Sequence, residues 1–202
     1  PALSQRMFEL GLLAILFHDT GYLKKRQDTQ GTGAKYTLIH VHRSTEFAAE
    51  FLADKGLRRP EITTVQHMIR CTGVNVDLEA IPFASELERI VGYALGSADL
   101  LGQMAADDYV AKLPVLYSEF AESARHNAGQ ASGVGAFASA EDLMQKTPLF
   151  WEKYVLPKIN HSFRGLYRFL NWPDGSNDYI HRIEANIGRL RQLLATSTAV
   201  AC

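Results

Sequence analysis

The chain has 202 residues, 47% hydrophobic and 21% charged, and carries a net charge of −1 at pH 7. That is an ordinary globular mixture, long enough to bury a core without staples, and too nearly neutral for a global field that would hold nucleic acid. Its two cysteines, Cys71 and Cys202, make neither a disulfide framework nor a zinc-like pair, so a reducing, cytoplasmic setting is expected. The apolar run Leu10–Phe17 is far too short to cross a bilayer and lacks the flanks of a signal peptide, so no membrane partner is expected.

Taken in chain order, residues 4–18 read as an apolar helix broken by Gly21. Residues 23–36 are polar and glycine-bearing and read as a long loop, of the kind that often carries function. Residues 42–55 form an amphipathic helix with Phe47, Ala48, Phe51 and Leu52 on one face, and Gly56 suits its C-terminal cap. Pro60 opens a further helix whose core stripe is Ile62, Val65, Ile69 and Thr72. Gly73–Pro82 is a second loop. Residues 84–113 read as one long helix with Ile90, Val91, Ala94, Ala98 and Leu101 inward, ended or kinked by Pro114, and 115–127 continue as helix.

Residues 128–140 are rich in Gly, Ala and Ser, so a mobile stretch is expected there. Two more helices are expected over about 141–170 and 178–195, punctuated by Pro148, Pro157 and Pro173. The aromatics Phe150, Trp151, Tyr154, Phe163, Tyr167, Phe169 and Trp172 recur at near-helical spacing and read as core, with a pocket cover or dimer face as the alternative. The one hint of strand lies around Tyr36–Ile39. The fold class is all-α. A single domain over 1–202 is expected, with its core in about 4–127 and a C-terminal helical part in about 140–196.

Three features carry chemistry. The run Leu12–Gly21 delivers His18-Asp19 at the end of a buried helix, and an imidazole beside a carboxylate suits a transition metal. Ser97-Ala98-Asp99-Leu100-Leu101-Gly102 places Asp99 at the edge of an apolar stripe, where an aspartate seldom sits without a partner. His40-Val41-His42-Arg43-Ser44 opens the amphipathic helix with two histidines, each a candidate ligand, general acid or phosphate contact.

Together these features resemble the HD superfamily of metal-dependent phosphohydrolases over roughly residues 8–113. That pattern is an early His, an adjacent His-Asp and a late Asp, all on helices. The resemblance implies an HD-type helical bundle with additional C-terminal helices. It implies His18, Asp19 and Asp99 as metal ligands, with His40 as the best candidate for a second ion. His67 is expected to be solvated, since it falls opposite the Ile62/Val65/Ile69 stripe. Only 17 residues precede His18 and none is His, so the early ligand is expected upstream of Pro1.

The implied cofactor is one or two divalent metal ions: Mn, Fe, Zn, Ni or Co, with Mg as a further option. The implied reaction is hydrolysis of a phosphate mono- or diester, of a nucleotide or related small molecule, by metal-activated water. Lys24, Lys25, Arg26 and Arg43 are the candidate phosphate contacts, with Arg70 secondary. His40, His42 and Lys24 are the candidate catalytic side chains, an imidazole being able to protonate the leaving group near neutral pH. Two other readings are an HD-fold module that binds a nucleotide or a protein without catalysis, and a di-iron oxygenase. A homodimer is left open by the sequence.

Overall fold

Ser4 holds extended backbone and its hydroxyl accepts from the Met7 amide, the N-cap that starts α1 (Gln5–Phe17). The computed structural model describes residues 2–127 and 137–200. Among them every regular element is helical and none is a strand, so the fold class is all-α. No helix there is long and apolar enough to cross a membrane.

After α1 a short 3-10 turn (Thr20–Tyr22) leads into the polar loop, which closes in another 3-10 turn (Gly33–Tyr36). Then follow α2 (His40–Asp54), α3 (Arg59–Arg70) and α4 (Glu86–Met104). The chain has two compact units, Pro1–Ser97 and Ala98–Cys202, and the division falls inside α4. The second unit continues with α5 (Tyr109–His126), α6 (Ala140–Phe150) and α7 (Asp178–Val200).

The core of the first unit is Leu10 and Ala14 of α1, Ala48 and Leu52 of α2, Ile62, Val65, Met68 and Ile69 of α3, and Leu95 of α4. Burying each large aliphatic side chain is worth about 1.5–3 kcal/mol. Gly56, at φ +81°, ends α2 in a left-handed conformation that side chains resist. Glu61 then accepts the Arg58 amide, and Pro60 lies in the first turn of α3. Arg58 and Arg6 hold the Glu61 carboxyl down to about 2.

Several expectations are corrected. Phe47 and Phe51 are not core residues: they are 40% and 43% exposed, stack on each other and meet the Phe17 ring at a tilt. Along α4 the buried positions are Glu88, Gly92, Tyr93, Leu95, Gly96, Ser97, Leu101 and Met104, while Ala94 and Ala98 are exposed. A buried carboxylate and a buried tyrosine rotate that helix away from its most aliphatic face. The long helix ends at Met104, not at Pro114, because the buried Asn186 carboxamide takes up the Met104 and Ala106 carbonyls at 2.8 and 2.9 Å. Pro114 lies inside α5. Tyr36–Ile39 forms turns, not a strand. Of the glycine-rich stretch, residues 128–136 lie outside the described residues.

The segment expected to be one helix over 141–170 is three kinds of helix in sequence. Beyond α6 the backbone widens into π turns at Trp151–Val155 and Lys158–Ser162, then tightens to 3-10 at Leu166–Leu170. Pro148 and Pro157 cannot donate to an α ladder, and longer bonds such as Phe163 N–H to Lys158 O replace it. Arg164 and Gly165, just ahead of the 3-10 turn, are left-handed. The aromatic stripe splits in consequence. Trp151 and Phe163 are buried with Val155, Ile159, Ile183 and Leu190, whereas Phe169 and Trp172 are 87% and 59% exposed.

Candidate functional site

The His-Asp pair stands where α1 stops. His18 is the last helical residue in φ/ψ, and Asp19 leaves the helix at φ −107°, ψ 5°. The Thr20 hydroxyl caps the Phe17 carbonyl at 2.7 Å. Gly21 is required here by a close approach. A Cβ at Gly21 would stand 2.7 Å from the His40 carbonyl carbon and 2.9 Å from its Cα. The absent side chain lets the start of α2 lie directly against the turn, and that brings His40 to the pair.

Six further contacts fix this arrangement. The buried Ser44 hydroxyl donates to the His18 carbonyl at 2.6 Å and accepts the Gly21 amide at 2.8 Å. Arg43 donates to the Gly21 and Leu23 carbonyls, both at 2.7 Å, and its guanidinium lies 3.7 Å from the centre of the Tyr36 ring. Tyr22 stacks on the His40 imidazole with centroids 4.4 Å apart.

The result is two imidazoles about one carboxylate. His18 Nε2 is 3.4 Å from Asp19 Oδ2, and His40 Nε2 is 3.9 Å from Asp19 Oδ1. Each ring turns its other nitrogen to a backbone carbonyl at 2.7 Å: His18 Nδ1 to Ile15 O, and His40 Nδ1 to Thr37 O. A carbonyl only accepts, so both Nδ1 atoms carry hydrogen. In the neutral rings both Nε2 lone pairs then face the carboxylate, and opposed lone pairs are favourable only with a proton or a cation between them. Carbonyl-anchored imidazoles are the usual support of metal-ligating histidines. The Asp19 side chain is 58% exposed, so the site is open on one side.

Two donors on one ion at about 2.1 Å lie roughly 3.0–3.4 Å apart. The His18–Asp19 spacing meets that range and the His40–Asp19 spacing of 3.9 Å is wider. Correspondingly, no group of three or more His, Cys, Asp or Glu side chains among the described residues is already closed to metal-holding geometry. By residue type, two imidazoles and a carboxylate are donors that a divalent transition ion takes. Asp99 is half-buried on α4, in the second unit.

The candidate phosphate contacts separate into two kinds. Lys24 donates to the Gly31 carbonyl at 2.5 Å and Arg43 is engaged as described, so both are committed to loop backbone. Lys25 and Arg26 are exposed beside the turn, with no side-chain partner among the described residues. His42 is turned to solvent and pairs with Glu46 at 3.3 Å. Arg70 is exposed at the end of α3.

Sequence reasoning missed the residues that make the loop rigid. Lys35 is buried, with its ammonium on the Asp28 carboxylate and on the Gln30 carbonyl at 2.6 Å. The Tyr36 hydroxyl donates to the same carboxylate at 2.5 Å, and these bonds hold the Asp28 carboxyl down to about 2. His67 is also corrected. It is buried, not solvated, and its Nδ1 meets Glu88 Oε1 at 2.7 Å, while Glu88 Oε2 accepts the Ala84 amide. A glutamate inside the stripe of α4 was the available signal.

A family model covers residues 9–192, and so both units and all of His18, Asp19, His40 and Asp99. The chain belongs to the Npun_R2479-like family. No curated protein and no solved structure matches the chain. Family membership by itself assigns no chemistry, which has to come from the site.

Proposed function

We propose that this chain is a metal-dependent phosphohydrolase of the HD type, acting on a phosphate mono- or diester of a nucleotide or related small molecule. One observation carries the reading: two carbonyl-anchored imidazoles, His18 and His40, turn Nε2 toward the same open carboxylate, Asp19. His18, Asp19 and His40 would hold the ion. When bound, such an ion supplies Lewis acidity toward phosphoryl oxygens and an acidified water. The reading rests on the first unit alone; the late aspartate of the HD resemblance, Asp99, lies in the second.

The chain's own residues have defined tasks in this reaction. Lys25 and Arg26, exposed and uncommitted beside the turn, meet the charge of the phosphate. Lys24, Arg43, Asp28 and Lys35 hold the loop that presents them. The exposed face of Asp19 leaves room for substrate. The test is hydrolysis of p-nitrophenyl phosphate, bis(p-nitrophenyl) phosphate and a nucleotide panel, with Mn²⁺ added and withheld. Metal-dependent hydrolysis that Asp19→Asn abolishes is the expected result. Hydrolysis unchanged in Asp19→Asn would overturn the assignment of the site.

A second reading is a non-catalytic module of the same kind, which binds a nucleotide or a protein. It is favoured by the 3.9 Å His40–Asp19 separation, which leaves the donor set unclosed. Nucleotide binding without hydrolysis of any ester in the panel would select it.

A further inference from the structure

We propose that Ser44 is a positioning residue for the metal donors, a role that rests on the metal reading of His18, Asp19 and His40. Ser44 is fully buried on α2, one helical turn after His40 and on the same face. Its hydroxyl bridges the two ends of the turn that carries Asp19. The hydrogen goes to the His18 carbonyl at 2.6 Å and a lone pair takes the Gly21 amide at 2.8 Å. Both backbone groups sit where α1 has ended, so no helical ladder satisfies them.

The geometric consequence is specific. Asp19 and Thr20 lie between the two clamped peptides, so the single hydroxyl restricts the backbone that aims the Asp19 carboxylate. The same side chain ties α2 to the turn, and α2 carries His40. One group thus sets both the 3.4 Å His18–Asp19 and the 3.9 Å His40–Asp19 separations. Arg43 repeats the tie from the neighbouring position, but through the Gly21 and Leu23 carbonyls on the far side of the turn. Thr45 is equally buried and its hydroxyl stays within α2, donating to the His42 carbonyl at 2.7 Å. It provides a control of matched burial that does not touch the turn.

The test is Mn²⁺ affinity of the full chain, read from the electron paramagnetic resonance signal of free Mn²⁺, for the wild type, Ser44→Ala, Ser44→Cys and Thr45→Ala. Removing an outer hydrogen-bond partner of a metal ligand costs about 10–100-fold in affinity. That loss is expected for Ser44→Ala. Ser44→Cys, which fills the space with a weak donor, carries the same expectation if the alanine variant does not fold. Thr45→Ala should bind Mn²⁺ as the wild type does, even where its thermal stability falls equally. A wild type that binds Mn²⁺ with Ser44 variants within twofold of it overturns the role of Ser44 and leaves the metal site standing. A wild type that binds no Mn²⁺ overturns the metal reading, and the role of Ser44 with it.

Discussion

Gly21→Ala is the sharpest perturbation of the turn. A Cβ at this position would lie 2.7 Å from the His40 carbonyl carbon, against backbone that cannot swing aside like a side chain. Ordinary contact between carbon atoms is about 3.5–4.0 Å, so turn and helix must separate by roughly an ångström. Overpacking of this kind costs about 1–3 kcal/mol. The separation also strains the Gly21–Ser44 and Arg43–Gly21 bonds, now 2.8 and 2.7 Å. Losing one or both adds about 0.5–1.5 kcal/mol each. The sum is about 1.5–6 kcal/mol, a large part of the ~5–15 kcal/mol that holds a typical domain. Urea unfolding followed by far-ultraviolet circular dichroism should show the midpoint fall by roughly 1–3 M, at a mid-range slope of about 2 kcal/mol per M. A variant within about 0.5 kcal/mol of the wild type, the scatter of an ordinary surface change, would refute the close approach of α2 to the turn and the site geometry built on it.

Gly102→Ala should act oppositely: the position is inside α4 with nothing within 4 Å of an added Cβ, and a gain of about 0.5–1 kcal/mol in the same urea assay is expected. Glu88→Ala leaves the buried His67 imidazole and the Ala84 amide without their partner, and a loss of about 2–4 kcal/mol in thermal or urea unfolding follows. Asp28 has a folded-state pKa lowered from 3.8 to about 2, so its pairing with Lys35 and Tyr36 adds stability that is complete above pH 4 and disappears as pH falls toward 2. Asp28→Asn should flatten the stability profile between pH 4 and 2 and leave the slope above pH 5 unchanged; an unaltered acid slope contradicts the assignment.

The helices of the first unit were legible because their signals are local. Gly56 and Pro60 mark ends, and Ile62, Val65 and Ile69 recur at the helical period. Where the reading failed, a tertiary partner had overridden the pattern. Phe47 and Phe51 lie on the apolar side of α2 but meet Phe17 at the edge of the core. Glu88 turns α4 inward because His67, distant in sequence, hydrogen-bonds it. Asn186, some 80 residues away, ends α4 ahead of the proline that looked like the stop. The π turns after Phe150 have no periodic signature of their own.

The candidate site divides in the same way. The convergence of His18, Asp19 and His40 was foreshadowed by residue type and by the trailing glycine. The roles of Lys24 and Arg43 were not, since composition cannot show that a cation is occupied by loop carbonyls. Ser44 and Lys35 carried no signal at all, for a buried hydroxyl and a buried ammonium read like surface residues until their partners are known.

The most direct measurement is the metal content of the purified chain by inductively coupled plasma mass spectrometry, beside a His18→Ala/Asp19→Ala variant. One or two divalent transition-metal ions per chain, lost in the variant, is the predicted result. A chain that remains metal-free after incubation with Mn²⁺, Fe²⁺, Zn²⁺, Ni²⁺ and Co²⁺ would contradict the metallohydrolase account.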